Sequence, residues 1–257
     1  MTTPAAATST DLSTSEARIA EVRRIAQNVA RNAAPLVDRD ARFPKETIDA
    51  LKASHMLSAY VPKERGGFGA NVEELSLMCE ILGQECASSA MVFAMHQIQV
   101  ACIVQHGSSS SFFRAYQEEL VRDQRLIASV TSEAGVGGSV RTSISPILRE
   151  GDSCTLRKDG TVVSYGEQAE DLLITVRRGP DAPSNDQALV LARRGQCVMD
   201  LTGTWDTFGM RGTCSPGYVI TARFGEEQIV PGPFADISSQ TMLPFAHVLW
   251  GSLWLGI

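Results

Sequence analysis

Leu126-Ile127-Ala128-Ser129-Val130-Thr131-Ser132-Glu133-Ala134-Gly135-Val136-Gly137-Gly138-Ser139 starts as an apolar run and ends as a polar loop. Hydroxyls at Ser129, Thr131 and Ser132 and the carboxylate of Glu133 are followed by Gly135, Gly137 and Gly138. Glycine lets backbone take positive φ and approach a ligand closely. Successive free N–H groups in such a loop form an anion-binding concavity. The stretch therefore reads as a strand that ends in a ligand loop. A glycine-rich loop can also do no more than turn the chain, so the surrounding sequence decides between the two readings.

On the N-terminal side the pattern is helical. Ile19, Val22, Ile25, Ala26 and Val29 recur at helical spacing behind a cap at Ser13 or Ser15, and Pro35 is expected to end or interrupt that helix. Phe43-Pro44 opens a second helix with Ile48, Leu51 and Leu57 on its apolar face. A loop covers Val61 to Gly69, and Val72, Leu75, Met78, Cys79 and Leu82 mark the next helix. Met91 to Val104 is almost wholly apolar, with His96, Gln97 and Gln99 interspersed, and reads as a buried helix. A short helix over Phe112–Val121 closes the segment.

After Arg125 the texture changes to short β-rich runs. They are Leu126–Val130, Ile144–Leu148, Cys154–Lys158, Thr161–Ser164, Leu172–Arg177, Ala188–Ala192, Gln196–Leu201, Gly217–Phe224 and Glu227–Val230. Lys158-Asp159-Gly160-Thr161 has the form of a hairpin turn. Short strands with turn signals indicate a sandwich or barrel. From about Ile237 the pattern is helical again, with Phe245, Val248, Leu249, Ser252, Leu253 and Leu255 on one broad face. The fold class is thus α+β. A disordered tail (1–15) precedes a helical domain (16–124), a β-barrel or sandwich domain (125–236) and the first helix (237–257) of a truncated C-terminal helical domain. That last helix, carrying Trp250 and Trp254, has nothing after it to pack on, so a partner chain or a truncation is expected.

Composition narrows the function. The net charge of −6 and the absence of a Lys/Arg block argue against a nucleic-acid surface. Six scattered cysteines without a C-x-x-C pair argue against a zinc or redox-motif site and fit a reducing, cytoplasmic setting. No metal site is expected. Met1 to Leu12 lacks the charged and apolar regions of a signal peptide, and no stretch reads as a membrane span.

Five motifs in order resemble the acyl-CoA dehydrogenase family. Phe43-Pro44-Lys45-Glu46 through Pro62-Lys63-Glu64-Arg65-Gly66-Gly67-Phe68-Gly69 is similar to the family's F-P-x-E…P-E-x-x-G-G-x-G signature. Glu80, Ser89, His96 and Gly107 match its helical E…S…H…G pattern. Ala128–Ser139 is similar to the flavin-loop motif A-x-T-E-P-x-x-G-S-D, Val162–Gly166 to W-I-T-N-G, and Gly209–Thr213 to L-G-x-R-x-S/T. Three positions depart: Ala134 replaces the proline, Gly138 (with Ser139 next) meets the serine, and Val162 replaces the tryptophan.

The resemblance implies FAD bound by Ser129, Val130, Thr131, Ser132, Gly137, Gly138, Val162, Val163 and Ser164, with acyl-CoA at Gly138 and Ser139. Ser132 would donate to the flavin ring, and Ser164 would lie near its N5. The implied chemistry is α,β-desaturation of an acyl-CoA thioester with hydride transfer to flavin N5. An electron-transfer flavoprotein would be the acceptor and a homo-oligomer the complete form. The catalytic base is expected in the missing C-terminal domain, so the chain alone is expected to be inactive. A same-fold flavin monooxygenase or oxidase, and a non-catalytic fragment or subunit needing a partner chain, remain open. Glu133 reads as a loop salt bridge or cap, His96 as a core histidine that could still be catalytic, and Arg211 as the brace of its own turn. Arg177-Arg178 reads as a solvated strand end, Asp171 as surface, and Trp250 and Trp254 as core or interface residues.

Overall fold

A computed structural model describes residues 11–151 and 153–257, so most of the stretch read as a tail lies outside the described residues. The described part of it is held in place. Arg18 Nη1 donates to the carbonyls of Leu12 (3.0 Å) and Ser13 (3.1 Å), and Thr14, not a serine, caps the first helix.

α1 (Ser15–Ile25), a π turn (Ala26–Ala30) and α2 (Arg31–Arg39) follow without a break. Pro35 sits inside α2 and does not end it, because only the one hydrogen bond toward Arg31 is forfeited while Ala33 and Val37 stay buried on either side. α3 (Lys45–Ala53), α4 (Val72–Gly83), α5 (Ala87–Gly107) and α6 (Ser111–Asp123) complete the helical layer. α5 is its axis. By length and composition it could cross a bilayer, contrary to the sequence reading, but here it is packed among α4, α6, α8 and the first strand. Its polar side chains serve its neighbours: Gln97 Nε2 donates to the carbonyls of Met56 (2.9 Å) and Leu57 (3.2 Å).

The β region is two sheets. β1 (Ile127–Val130) pairs in parallel with β4 (Asp171–Arg177), which pairs antiparallel with β5 (Gln187–Arg193). This sheet contacts α5 through β1 and the second sheet through β5, so β1 is wholly buried and β4 and β5 are buried but for their last residues. Such strands read as unbroken apolar runs. The second sheet has the order β2-β3-β7-β6, formed by β2 (Leu148–Glu150), β3 (Ser153–Gly160), β6 (Cys197–Leu201) and β7 (Tyr218–Phe224). β7 alternates: Tyr218, Ile220, Ala222 and Phe224 are buried, while Thr221 and Arg223 face out.

Three strand expectations and the hairpin turn are overturned. β3 runs straight through Lys158-Asp159-Gly160, pairing with Ile220, Val219 and Tyr218. Gly160 is there for close packing, since a Cβ would sit 3.0 Å from Val163 and 3.3 Å from Val130. Thr161–Ser164 is a loop, Ile144–Ile147 forms only a bridge from Pro146 to Arg177, and Glu226–Gln228 is a 3₁₀ turn. The Arg177-Arg178 pair is not simply solvated: Arg178 Nε donates to Asp186 Oδ1 (3.0 Å), holding the turn between β4 and β5.

α7 (Phe234–Ile237), a π turn (Ser238–Met242) and α8 (Leu243–Gly256) end the chain. α8 does not lack a packing surface, contrary to the sequence reading, because it lies against α4 and α5. Two glycines allow the approach. A Cβ on Gly83 would stand 2.7 Å from the Leu253 carbonyl, and one on Gly256 would stand 2.3 Å from the Glu80 carbonyl. Ser76 and Ser252 share a hydroxyl–hydroxyl bond at the same contact. The expected broad face narrows to Met242, Ala246, Leu249 and Leu253, spaced by three or four residues. Trp250 and Trp254 are 36% and 53% exposed, so they are not core residues of this chain.

Candidate functional site

The loop after β1 has a fixed base. Glu133 is buried and accepts from Ser145 Oγ (2.6 Å), Ser143 Oγ (2.7 Å) and the Ile144 N–H (3.2 Å). Lys158 Nζ lies 3.2 Å from it and donates to Thr175 O (2.6 Å) and Thr175 Oγ1 (3.0 Å). Burial alone would raise the Glu133 pKa, but the Ser145 and Ser143 hydroxyls and the Lys158 charge outweigh it and hold the carboxyl below its ordinary value. Glu133 is therefore a clamp that closes residues 133–145 into a loop. Ser132 adds a second clasp: its hydroxyl donates to Val162 O (2.7 Å) and accepts from the Val162 N–H (3.0 Å). Its proton is committed to protein, so it is no free donor for a ring.

The tip is different. Gly135, Gly137 and Gly138 all have positive φ, and a Cβ on Gly137 or Gly138 would meet nothing within 4 Å. Among the described residues the N–H groups of Gly135, Val136, Gly137 and Gly138 have no hydrogen-bond partner. Ser139 donates its N–H to Val136 O (3.1 Å), and its side chain is exposed. A run of unpartnered donors with open space at Gly137 and Gly138 is what a bound anion or a polar ring edge would use.

Val162, Val163 and Ser164 lie across from this base. Val162 is 43% exposed, Val163 is buried, and Ser164 is 8% exposed. The Ser164 hydroxyl accepts from Ser215 Oγ (2.9 Å), which in turn lies 2.8 Å from Thr213 Oγ1. The sequence reading had Thr213 only as part of a turn and missed Ser215. The turn itself is braced as expected, with Arg211 Nε donating to Asp38 O (2.9 Å).

A partly open cavity of about 220 Å³ lies beside the end of β1. Ser129 and Thr131 form one wall, Met95, Ile98 and Gln99 of α5 another, and Met242, Ala246 and Trp250 a third. It adjoins a second cavity of about 400 Å³ and shares Val140, Phe234, Ser238 and Leu243 with it. Gln99 is 3% exposed, and its Oε1 has no partner among the described residues. Among the described residues, none lining the inner cavity is a carboxylate, and His247 is its one titratable side chain. The third wall went unseen in the sequence because its residues lie more than a hundred positions from Ser129.

Two polar residues prove structural. His96 is fully buried. Its Nδ1 accepts from the Ile127 N–H (3.0 Å), so Nε2 carries the proton and donates to Leu57 O (2.8 Å). Burial pushes its pKa down to about 4, which keeps it neutral. Asp171, read as surface, is fully buried: Arg125 donates through Nε (2.5 Å) and Nη2 (2.8 Å), and Tyr116 donates its hydroxyl (2.7 Å). A carboxylate at the start of a central strand is tolerated because these donors replace its hydration. Among the described residues no group of three or more His, Cys, Asp or Glu side chains could hold a metal ion.

Residues 13–111 match the family profile described as acyl-CoA dehydrogenase, N-terminal domain. The match assigns this N-terminal helical region, and not the whole chain, to the acyl-CoA dehydrogenase family. Among curated relatives, the cyclohex-1-ene-1-carbonyl-CoA dehydrogenase of Syntrophus aciditrophicus (strain SB) is 22% identical over 191 residues, covering 74% of this chain and 46% of the relative. Butyryl-CoA dehydrogenase from Megasphaera elsdenii superposes with a TM-score of 0.81 at 15% identity, covering 94% of this chain and 65% of that one. The FMN-bound dibenzothiophene monooxygenase from Paenibacillus sp. A11-2 also gives 0.81, at 19% identity, covering 93% and 61%. At these identities the structural likeness shows the shared fold. The chain spans about half the length of the curated relatives it matches.

Proposed function

We propose that these residues form the helical (16–124) and β (125–236) walls, and the first helix (237–257) of a third, of an FAD-dependent acyl-CoA dehydrogenase-type oxidoreductase. The carrying observation is the loop whose flanking residues Thr131 and Val140 line the partly open apolar cavity, and whose tip N–H groups at 135–138 have no partner among the described residues. The residues fit a flavin: the cradle at Gly137 and Gly138 is sterically open, and the Ser164 hydroxyl has a proton to give. A bound flavin would take the β-hydride of an acyl-CoA at N5 while a base removes the α-proton. Gly137, Gly138 and the exposed edge at Val162 would hold the ring, and Ser129 and Thr131 would face its polar rim. The acyl part would enter between α5 and α8, where Met95, Ile98 and Met242 exclude water. Electrons would leave to an electron-transfer flavoprotein, and the complete protein would be a homo-oligomer.

Because no carboxylate among the described residues lines the inner cavity, the 257 residues alone are expected to bind flavin without dehydrogenating acyl-CoA. The test is anaerobic mixing of the flavin-loaded chain with a panel of acyl-CoAs. Loss of the oxidised flavin's visible band on a catalytic timescale contradicts this part of the reading. A flavin monooxygenase is the second reading. It is favoured by Val162 in place of the motif's tryptophan, by His247 as the cavity's titratable group, and by the fold likeness to a monooxygenase. Substrate-dependent oxygen consumption after chemical reduction, without response to acyl-CoA, selects it.

A further inference from the structure

We propose that Ser215 is a positioning residue, which orients the Ser164 hydroxyl so that its proton points out of the protein toward the bound flavin. The inference rests on the flavin reading above. Its basis is a count of protons in a row of three hydroxyls. Ser164, Ser215 and Thr213 are 8%, 2% and 3% exposed. Ser215 Oγ donates to Ser164 Oγ at 2.9 Å and lies 2.8 Å from Thr213 Oγ1. Each hydroxyl has one proton. With that of Ser215 committed to Ser164, the Thr213–Ser215 contact takes its proton from Thr213, in place of Thr213's other acceptor, Met210 O at 2.9 Å. Likewise Ser215 forgoes the longer contact to Thr213 O at 3.3 Å. Ser164 then accepts within the protein, and its own proton has no acceptor among the described residues.

The backbone holds this arrangement at a cost. Tyr165 (φ +43°) and Cys214 (φ +43°), next to Ser164 and Ser215, are left-handed although neither is glycine. The Tyr165 N–H donates to Thr213 O (2.8 Å) and Cys214 O (3.1 Å), which sets the two strained turns edge to edge. Strain kept at two adjacent turns marks a geometry that is over-determined by its surroundings. A row of aligned hydroxyls polarises its last member and strengthens it as a donor.

The test is titration of the purified chain with FMN and with FAD, followed by flavin fluorescence and visible absorption, for wild type, Ser164→Ala, Ser215→Ala, the double variant and Ser215→Thr. Thermal melting confirms that each variant is folded. Loss of one hydrogen bond predicts about five-fold weaker flavin binding for Ser164→Ala. Ser215→Ala should lose most of the same factor and move the visible band in the same direction. The double variant should be no weaker than Ser164→Ala, and Ser215→Thr should restore both readouts. A Ser215→Ala variant with wild-type affinity and spectrum overturns the inference, as do effects of the two alanine variants that simply multiply. Failure of the wild type to bind either flavin removes the flavin reading itself and this inference with it, which separates the two failures.

Discussion

The base and the tip of the loop after β1 are a few residues apart and are built on opposite principles. At the base, Glu133, Lys158, Ser143 and Ser145 satisfy one another in full burial. At the tip, four consecutive N–H groups from Gly135 to Gly138 have no partner among the described residues, and the glycines project no side chain. A loop that only turned the chain would need neither a buried ion pair below nor open donors above. The contrast is between a rigid mount and an open tip, an arrangement by which a protein can hold donors ready for a ligand without reorganisation.

The largest effect expected is at the base. Glu133→Ala strands the Lys158 ammonium in the core and should cost about 3–5 kcal/mol in urea unfolding, whereas the paired Glu133→Leu/Lys158→Met variant should recover much of that loss. A single-variant cost below about 1 kcal/mol breaks the distinction between mount and cradle.

The second prediction concerns the anchor of β1 at its other end. His96 stays neutral in the fold down to about pH 4, while an unfolded histidine binds its proton near pH 6.5. Between those values the unfolded state holds more protons, so stability falls as pH falls through this window, by up to about 1.4 kcal/mol per pH unit. The carboxyl of Glu133 has a lowered pKa, so its contribution is present above the ordinary carboxylate range and is lost only on further acidification. Urea midpoints measured from pH 7 to 4.5 should therefore decline in wild type and run flatter in His96→Gln.

Third, Gly83→Ala places a methyl 2.7 Å from the Leu253 carbonyl and should cost about 1–3 kcal/mol by forcing α8 off α4. An unchanged melting temperature would show that the α4–α8 contact does not form. The smallest effect on stability belongs to the tip. Gly137→Ala meets open space and should lose only about 1 kcal/mol, from its positive φ, while weakening flavin binding. Equal stability losses at Gly137 and Glu133 would erase the comparison.

How much of this was legible in the sequence follows from the range of the interactions. α4 and α6 show in their local periodicity, because each buries a stripe that repeats within one element, and α5 shows as a long apolar run because it is buried on most sides. β1, β4 and β5 show as apolar runs because both faces are covered. Asp159-Gly160 misled because the same dipeptide serves a tight turn and a close approach between strand and loop, and only Val130 and Val163 tell the two apart. Asp171 was misplaced because a lone acidic residue looks solvated until Arg125 and Tyr116, both from before β1, are brought to it. At the candidate site the glycines and hydroxyls of the loop were readable. Ser215, Gln99 and the α8 wall were not, since their meaning depends on contacts made across most of the chain.

Amide hydrogen exchange, with and without saturating FAD, tests the central claim most directly. The account predicts new protection at residues 135–138, with none at the base residues 143–145 or in the centre of α5, which are already bonded. Unchanged exchange at 135–138 while flavin is bound, or protection confined to a different surface, would contradict it.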